Sequence, residues 1–144
     1  MKKRLVALSL ILCLLLTTFP LSTLASSDDA RTAESNTSPA KWSNTSSVIL
    51  AMSYKNNGVS WSCAVTGYTS TANITATVYL DKKNANGTYT YLNHWTNHIK
   101  DISLMASGFQ TTAKGTYRLR ADITVTNKSG VREDITLTLE KTFT

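Results

Sequence analysis

Two histidines are the first side chains in this sequence that could do chemistry. His94 and His98 flank Trp95 at the spacing of the two zinc ligands in helical metalloprotease sites, but Trp95 stands where that motif needs its glutamate. The neighbouring Thr and Asn residues favour a strand, on which the two imidazoles would lie about 13 Å apart, too far to share one metal ion. We therefore predict solvent-facing strand residues and no metal site.

Carboxylates are the next candidates, because a pair of them could act as the acid and base of a glycosidase. Three of the nine acidic residues precede residue 47, and the others are expected at strand edges or turns beside Lys or Arg. The sequence has no G-x-S-x-G nucleophile motif, glycine-rich phosphate loop or cysteine cluster. We therefore predict no catalytic residue and no cofactor, and a protein that is not an enzyme.

Arginine and tyrosine side chains offer a possible ligand surface. Arg118 and Arg120 share the outward face of one strand, where they could attract phosphate or anionic polysaccharide. Tyr79 lies opposite the apolar face of its strand, and Tyr89, Tyr91 and Trp95 cannot all be buried. Exposed rings among Tyr79, Tyr89 and Tyr91 could bind sugars. Both groups also have a structural explanation, since arginines pair with acids on a solvated sheet face and aromatic pairs stabilise sheets.

The N-terminus holds much of the positive charge of this 144-residue chain, whose formal net charge is +6. Residues 2–4 are basic, residues 5–16 are mostly apolar, and Ala25 precedes a polar segment, which is the pattern of a secretory signal peptide. The apolar run is shorter than a membrane span. We predict that residues 1–25 are removed, that the protein is secreted to the extracellular space, and that the mature chain has no transmembrane segment.

Cleavage would change both the charge and the cysteine content. Three of the 15 basic residues leave with the leader, so the net charge falls to +3, too little to indicate nucleic-acid binding. Of the two cysteines only Cys63 remains, which predicts a domain without an internal disulfide.

From residue 47 onward the apolar residues recur with the period of two that is typical of β-strands. Residues 26–46 are rich in Ser, Thr and Asn and predict a flexible polar extension, whereas residues 47–144 predict one domain. Turn signals such as Asn86-Gly87 separate about seven short runs, and no helix period is evident. The sequence predicts an all-β fold, an antiparallel immunoglobulin-like β-sandwich of about seven strands, with the register of residues 88–99 left open.

Two segments carry resemblances to known proteins. Tyr117 stands in a sequence that resembles the tyrosine corner of immunoglobulin-like and fibronectin-like domains, but Leu119 replaces the cysteine that antibody domains have two residues later. More broadly, residues 77–96 and 115–136 resemble a group of small secreted Gram-positive bacterial proteins of unknown function. The shared positions are Val78, Leu80, Asn86, Gly87, Thr88, Tyr89, Trp95, Gly115, Tyr117, Leu119, Ala121, Lys128 and Gly130. The resemblance implies a sandwich fold and export, and it transfers no catalytic residue.

These observations favour a function in binding. We expect a secreted, non-enzymatic binding or adhesion module at the cell envelope or in the extracellular medium. Its expected partner is a cell-wall or glycan surface or another envelope protein, and not nucleic acid. The alternative is a released antimicrobial or inhibitor-type effector that uses the basic strand face and the N-terminal extension.

Overall fold

The computed structural model describes residues 42–144, so the predicted signal peptide and most of the predicted extension lie outside the described residues. This part of the chain consists of strands joined by short turns. The strands are β1 (Thr45–Lys55), β2 (Gly58–Gly67), β3 (Thr71–Lys83), β4 (Tyr89–Ile99), β5 (Ser103–Thr111), β6 (Gly115–Asn127) and β7 (Arg132–Phe143).

The seven strands form two antiparallel sheets, ordered β1-β2-β5 and β4-β3-β6-β7. The predicted all-β, seven-stranded antiparallel sandwich is therefore confirmed. In constant-type immunoglobulin domains the fourth strand joins the sheet of the first, second and fifth strands. Here β4 pairs with β3 instead, which divides the strands into a sheet of three and a sheet of four.

The core lies between the two sheets and follows the predicted alternation. Every second residue of β2 from Val59 to Val65 is buried, and so is every second residue of β6 from Tyr117 to Val125. Cys63 is a free thiol with no exposed surface, and burial raises its pKa to about 11. The described residues contain no disulfide, so apolar burial holds the two sheets together.

The predicted tyrosine corner is present at the start of β6. The Tyr117 side chain is fully buried, and its hydroxyl donates a hydrogen bond to the carbonyl oxygen of Ala113. The same hydroxyl lies 2.9 Å from the Thr112 hydroxyl. These bonds tie the connection from β5 to the strand that crosses the middle of the larger sheet.

Gly108 explains why the hydrophobic pattern of β5 is weak. It pairs with Trp61 of β2, and a Cβ atom at Gly108 would lie 2.6 Å from three atoms of the Trp61 indole. Across the core, the Trp61 ring packs against Trp95 of β4 with ring centroids 4.9 Å apart. A glycine is needed here because the indole occupies the space of a side chain.

Strand β1 begins two residues before the predicted domain boundary at residue 47. The Glu133 carboxylate accepts hydrogen bonds from the Asn44 backbone amide at 3.1 Å and from the Thr45 hydroxyl at 2.8 Å. Asn44 and Thr45 are buried, and Trp42 packs against the core. Residues 42–46 are thus part of the folded domain, held by a side chain almost 90 positions away in the sequence.

Candidate ligand-binding face

The register of β4, which the sequence left open, determines how the candidate residues meet. Tyr79 pairs with His94, and a register shift between Leu80 and Asp81 then places Tyr91 opposite Asp81. On the other side of β3, Tyr79 pairs with Arg120 and Asp81 with Arg118. The five predicted surface residues therefore lie on one side of the four-stranded sheet. We call this surface the aromatic–arginine face; it comprises Tyr79, Asp81, Tyr89, Tyr91, His94, Arg118, Arg120 and Glu140.

One row of this face is a continuous stack of planar groups. The Arg120 guanidinium lies 4.4 Å from the centre of the Tyr79 ring. Tyr79 in turn stacks on His94 with centroids 5.8 Å apart, and the Tyr91 hydroxyl lies 2.6 Å from Nδ1 of His94. Cation–π attraction, ring stacking and the hydrogen bond between Tyr91 and His94 thus hold four side chains from three strands in one arrangement.

A second cluster forms around Tyr89, the first residue of β4. The Arg118 guanidinium lies 3.8 Å from the centre of the Tyr89 ring, and the Tyr89 hydroxyl donates a hydrogen bond to the Glu140 carboxylate. Lys83 also donates to Glu140, at 2.9 Å. The hydrogen bonds from Tyr89 and Lys83 lower the pKa of Glu140, while the bond to Glu140 raises the pKa of Tyr89.

The arginines of this face are neutralised by carboxylates. Arg118 donates two hydrogen bonds to one oxygen of Asp81, at 2.7 and 3.0 Å, and Arg120 lies 3.5 Å from Asp122. Arg132, at the start of β7, forms a similar pair with Asp134 at 2.8 Å. The arrangement matches the structural explanation of the arginine stripe, and it leaves little net positive field to attract a polyanion.

The stacked rings also determine which surfaces remain open to a ligand. Neighbouring groups cover a face of Tyr79 and a face of Tyr89, whereas Tyr91 keeps 55% of its surface exposed. Beside this exposed ring lie the His94 imidazole and, on the paired strand, Asp81, which holds the Arg118 guanidinium. The face can therefore combine one aromatic contact with several hydrogen bonds of fixed geometry.

Three members of the face, His94, Asp81 and Glu140, were not predicted as part of a ligand surface. His94 was expected only to face solvent, and it is exposed, but it also links Tyr79 to Tyr91. Asp81 was expected with the other acids at an edge or turn, yet it lies within β3 and is only 8% exposed. The sequence did contain a signal for this position, because Asp81 lies two residues after the outward Tyr79 in an alternating strand and must therefore share its face.

The paired histidines have separate neighbours. His98 is exposed, and its Nδ1 lies 2.8 Å from the Thr75 hydroxyl, well along the strand from the Tyr91 contact of His94. Among residues 42–144, no group of three or more His, Cys, Asp or Glu side chains is placed to hold a metal ion.

Comparison with known proteins adds no family to this description. The part of the chain that the structure describes has no helix long and apolar enough to cross a membrane. No family model matches the chain, and no significant similarity to a curated protein or to a solved structure was found.

Proposed function

We propose that this protein is a secreted, non-enzymatic binding module whose ligand is a glycan of the cell envelope or its surroundings. The observation that carries the proposal is the aromatic–arginine face, on which an exposed tyrosine ring lies beside fixed donors and acceptors. The predicted signal peptide supports placing this surface outside the cell.

The chemistry of the face fits a polyhydroxylated ligand better than a charged one. A sugar offers an apolar ring face for Tyr91 and hydroxyl groups that both donate and accept hydrogen bonds. Asp81 and Arg118 hold each other at 2.7 Å, so their remaining donors and acceptors have fixed directions. A preorganised surface loses little side-chain entropy on binding, which favours affinity for a weak ligand.

The same contacts support binding rather than catalysis. The Asp81 and Glu140 carboxylates are each engaged by a cation, and Glu140 also by a phenol, in bonds that stabilise the sheet. The alternative function, a released antimicrobial or inhibitor, relied on a basic strand face. Because Arg118 and Arg120 each have an acidic partner, we favour the glycan-binding function.

A binding assay with matched tyrosine variants tests this proposal. Tyr91→Ala should weaken retention on purified cell walls or on immobilised neutral polysaccharides by about tenfold, because one stacking contact contributes roughly 0.5–1.5 kcal/mol beyond its buried area. Tyr68→Ala is the control, since Tyr68 is 42% exposed and follows β2 in the other sheet. Equal retention of the two variants, or no retention of the unmodified protein, would contradict the proposal.

A further inference from the structure

Apart from Lys55 at the end of β1, the outer surface of the smaller sheet is uncharged. Its other outward side chains on β1, β2 and β5 are Ser, Thr and Ala together with three exposed apolar residues, Ile49, Met105 and Phe109. Met105 is 83% exposed, more than any other large apolar residue of the described chain. The aromatic–arginine face of the other sheet uses none of these residues, so this surface is open to a separate role.

Strand β5 lies at the edge of this sheet without the features that normally protect an edge. Protected edges carry charged residues, proline or bulges, which prevent pairing with another chain. The nine residues of β5 include no charge and no proline, and their pairing with β2 has no register shift. The other edges differ: Lys141 donates to the Met52 carbonyl of β1, a register shift interrupts the pairing of β4, and β7 carries charges at both ends.

Backbone geometry shows which groups of β5 are free to pair. Ile102 and Thr112, on either side of the strand, both bond to the β2 side, through Gly67 and Asn57 respectively. Because the direction of the backbone groups alternates along an antiparallel strand, the even-numbered residues of β5 point towards β2. The odd-numbered residues from Ser103 to Thr111 therefore direct their N–H and C=O groups to the open edge, where the Thr111 carbonyl accepts a hydrogen bond from the Gln110 side chain at 3.2 Å.

We propose that the protein forms a two-fold symmetric dimer in which β5 of one copy pairs antiparallel with β5 of a second copy, centred on Ser107. In this register Ser107 meets its own counterpart, and Met105 of each copy lies opposite Phe109 of the other. Every opposed pair joins two odd-numbered residues, so about ten backbone hydrogen bonds form without disturbing β2. The bond to the Thr111 carbonyl replaces the one from the Gln110 side chain.

The side chains of β5 support this register over others. Met105 and Phe109 stand at equal distances on either side of Ser107 and point to the same face, so symmetry brings sulfur and aromatic ring together twice. Because β5 contains no charged residue, two-fold symmetry brings no like charges together across the junction. A strand junction buries less than the ~1,200 Å² of a stable interface, so we expect a dissociation constant on the order of 0.1 mM.

Sedimentation of the purified protein, measured from about 0.01 to 1 mM, tests the association. A monomer–dimer equilibrium is expected, and Ser107→Lys should weaken it at least about tenfold because the two lysines would oppose each other at the axis. Ser47→Lys places the same residue on the far edge of the same sheet and should leave association unchanged. A monomer throughout the range, or equal effects of the two variants, would overturn the proposal.

Cysteine cross-linking tests the register itself. Cys13, one of the two cysteines of the chain, is replaced by serine, so that the buried Cys63 is the native thiol that remains. Opposed Cα atoms at Ser107 would be about 5.5 Å apart, within disulfide range. The two copies of Met105 would be about 14 Å apart. On oxidation, Ser107→Cys should yield covalent dimer at least tenfold faster than Met105→Cys, although Met105 is the more exposed site. Equal rates, or dimer from neither variant, would refute the register.

Discussion

Replacing Gly108 by alanine tests whether the tryptophan pair of the core determines the sequence of β5. Glycine in a strand interior is ordinarily weaker than alanine by roughly 0.5–1 kcal/mol, so an unconstrained Gly108→Ala change would stabilise the protein. Here the new Cβ would lie 2.6 Å from Cε2, Cζ2 and Nε1 of Trp61. A stabilising Gly108→Ala change would therefore indicate an unconstrained glycine, whereas a destabilising change would indicate that the Trp61 indole fills the space beside Gly108.

The size of the effect follows from how far the indole must move. Ordinary contacts of a Cβ atom begin at 3.4 Å, so Trp61 or the strand has to shift by roughly 0.8 Å. Trp95 blocks this movement across the core, with its centroid 4.9 Å from that of Trp61. Overpacking of this kind costs about 1–3 kcal/mol, or roughly 4–8 °C in Tm for each kcal/mol in a domain of this size.

Urea unfolding, followed by tryptophan fluorescence and far-UV circular dichroism, measures this change. A double-mutant cycle with Trp61→Phe isolates the contact, because the smaller ring lacks the indole atoms that Gly108 accommodates. In that background Gly108→Ala should lose most of its cost, which gives a coupling free energy of about 1–3 kcal/mol. If Gly108→Ala is neutral or stabilising in the unmodified protein, the steric argument is wrong.

Three further measurements test other contacts of the domain. Tyr117→Phe should lower the free energy of unfolding by about 1–2 kcal/mol because the Ala113 carbonyl and the Thr112 hydroxyl lose their hydrogen-bond partner, whereas Tyr89→Phe, on the surface, should change it by less than about 0.5 kcal/mol in urea titrations. Burial alone would raise the pKa of Glu133, but hydrogen bonds from Ser43, Asn44 and Thr45 outweigh it and lower the pKa below its ordinary 4.5. Glu133 therefore contributes stability above pH 4.5 that is lost as the pH falls through its native pKa. The Glu133→Gln variant should lack this part of the acid dependence in unfolding measured against pH. The Cys63 thiol, with a pKa of about 11 against an ordinary 9.0, should resist thiol reagents at pH 8 until urea unfolds the domain, and its contribution to stability should decline as the pH rises from 9.0 towards 11; rapid labelling of the native protein would contradict its burial.

The strands that the sequence predicted best are those whose pattern depends on local alternation alone. In β2 and β6 one face is buried in the core along the whole strand, so apolar residues recur at every second position. Strand β4 could not be placed in register because the shift between Leu80 and Asp81 interrupts the alternation of pairing. The weak pattern of β5 arises from Gly108, whose side-chain space belongs to a tryptophan on another strand.

The contacts of the candidate site likewise fall into those that follow from alternation along one strand and those that depend on pairing between strands. That Arg118 and Arg120 share a face follows from their spacing on one strand. That Tyr89 meets Arg118, or that His94 joins two tyrosines, depends on how β4 aligns with β3 and, through β3, with β6. Pairing between distant segments leaves no periodic signal in a single sequence, so these contacts required the structure.

The contact between β1 and β7 has a consequence for how the domain could be attached to a surface. Thr45 lies beside Glu133, and Met52 lies beside Lys141, so the first and last strands run in the same direction in opposite sheets. The two ends of the described chain consequently emerge at opposite poles, and the Tyr89 cluster at Glu140 lies towards the pole of the C-terminus. From Glu133 to Lys141 the distance along the strand is about 26 Å.

An anchor preceding residue 42 would thus hold the tyrosines away from the point of attachment. Tension between the two poles would act along the strands rather than across them. Because β1 pairs with β2 over its whole length, the hydrogen bonds of that ladder would be sheared together instead of opening one after another. In the proposed binding module, the point of attachment and the ligand would then lie towards opposite poles of the domain.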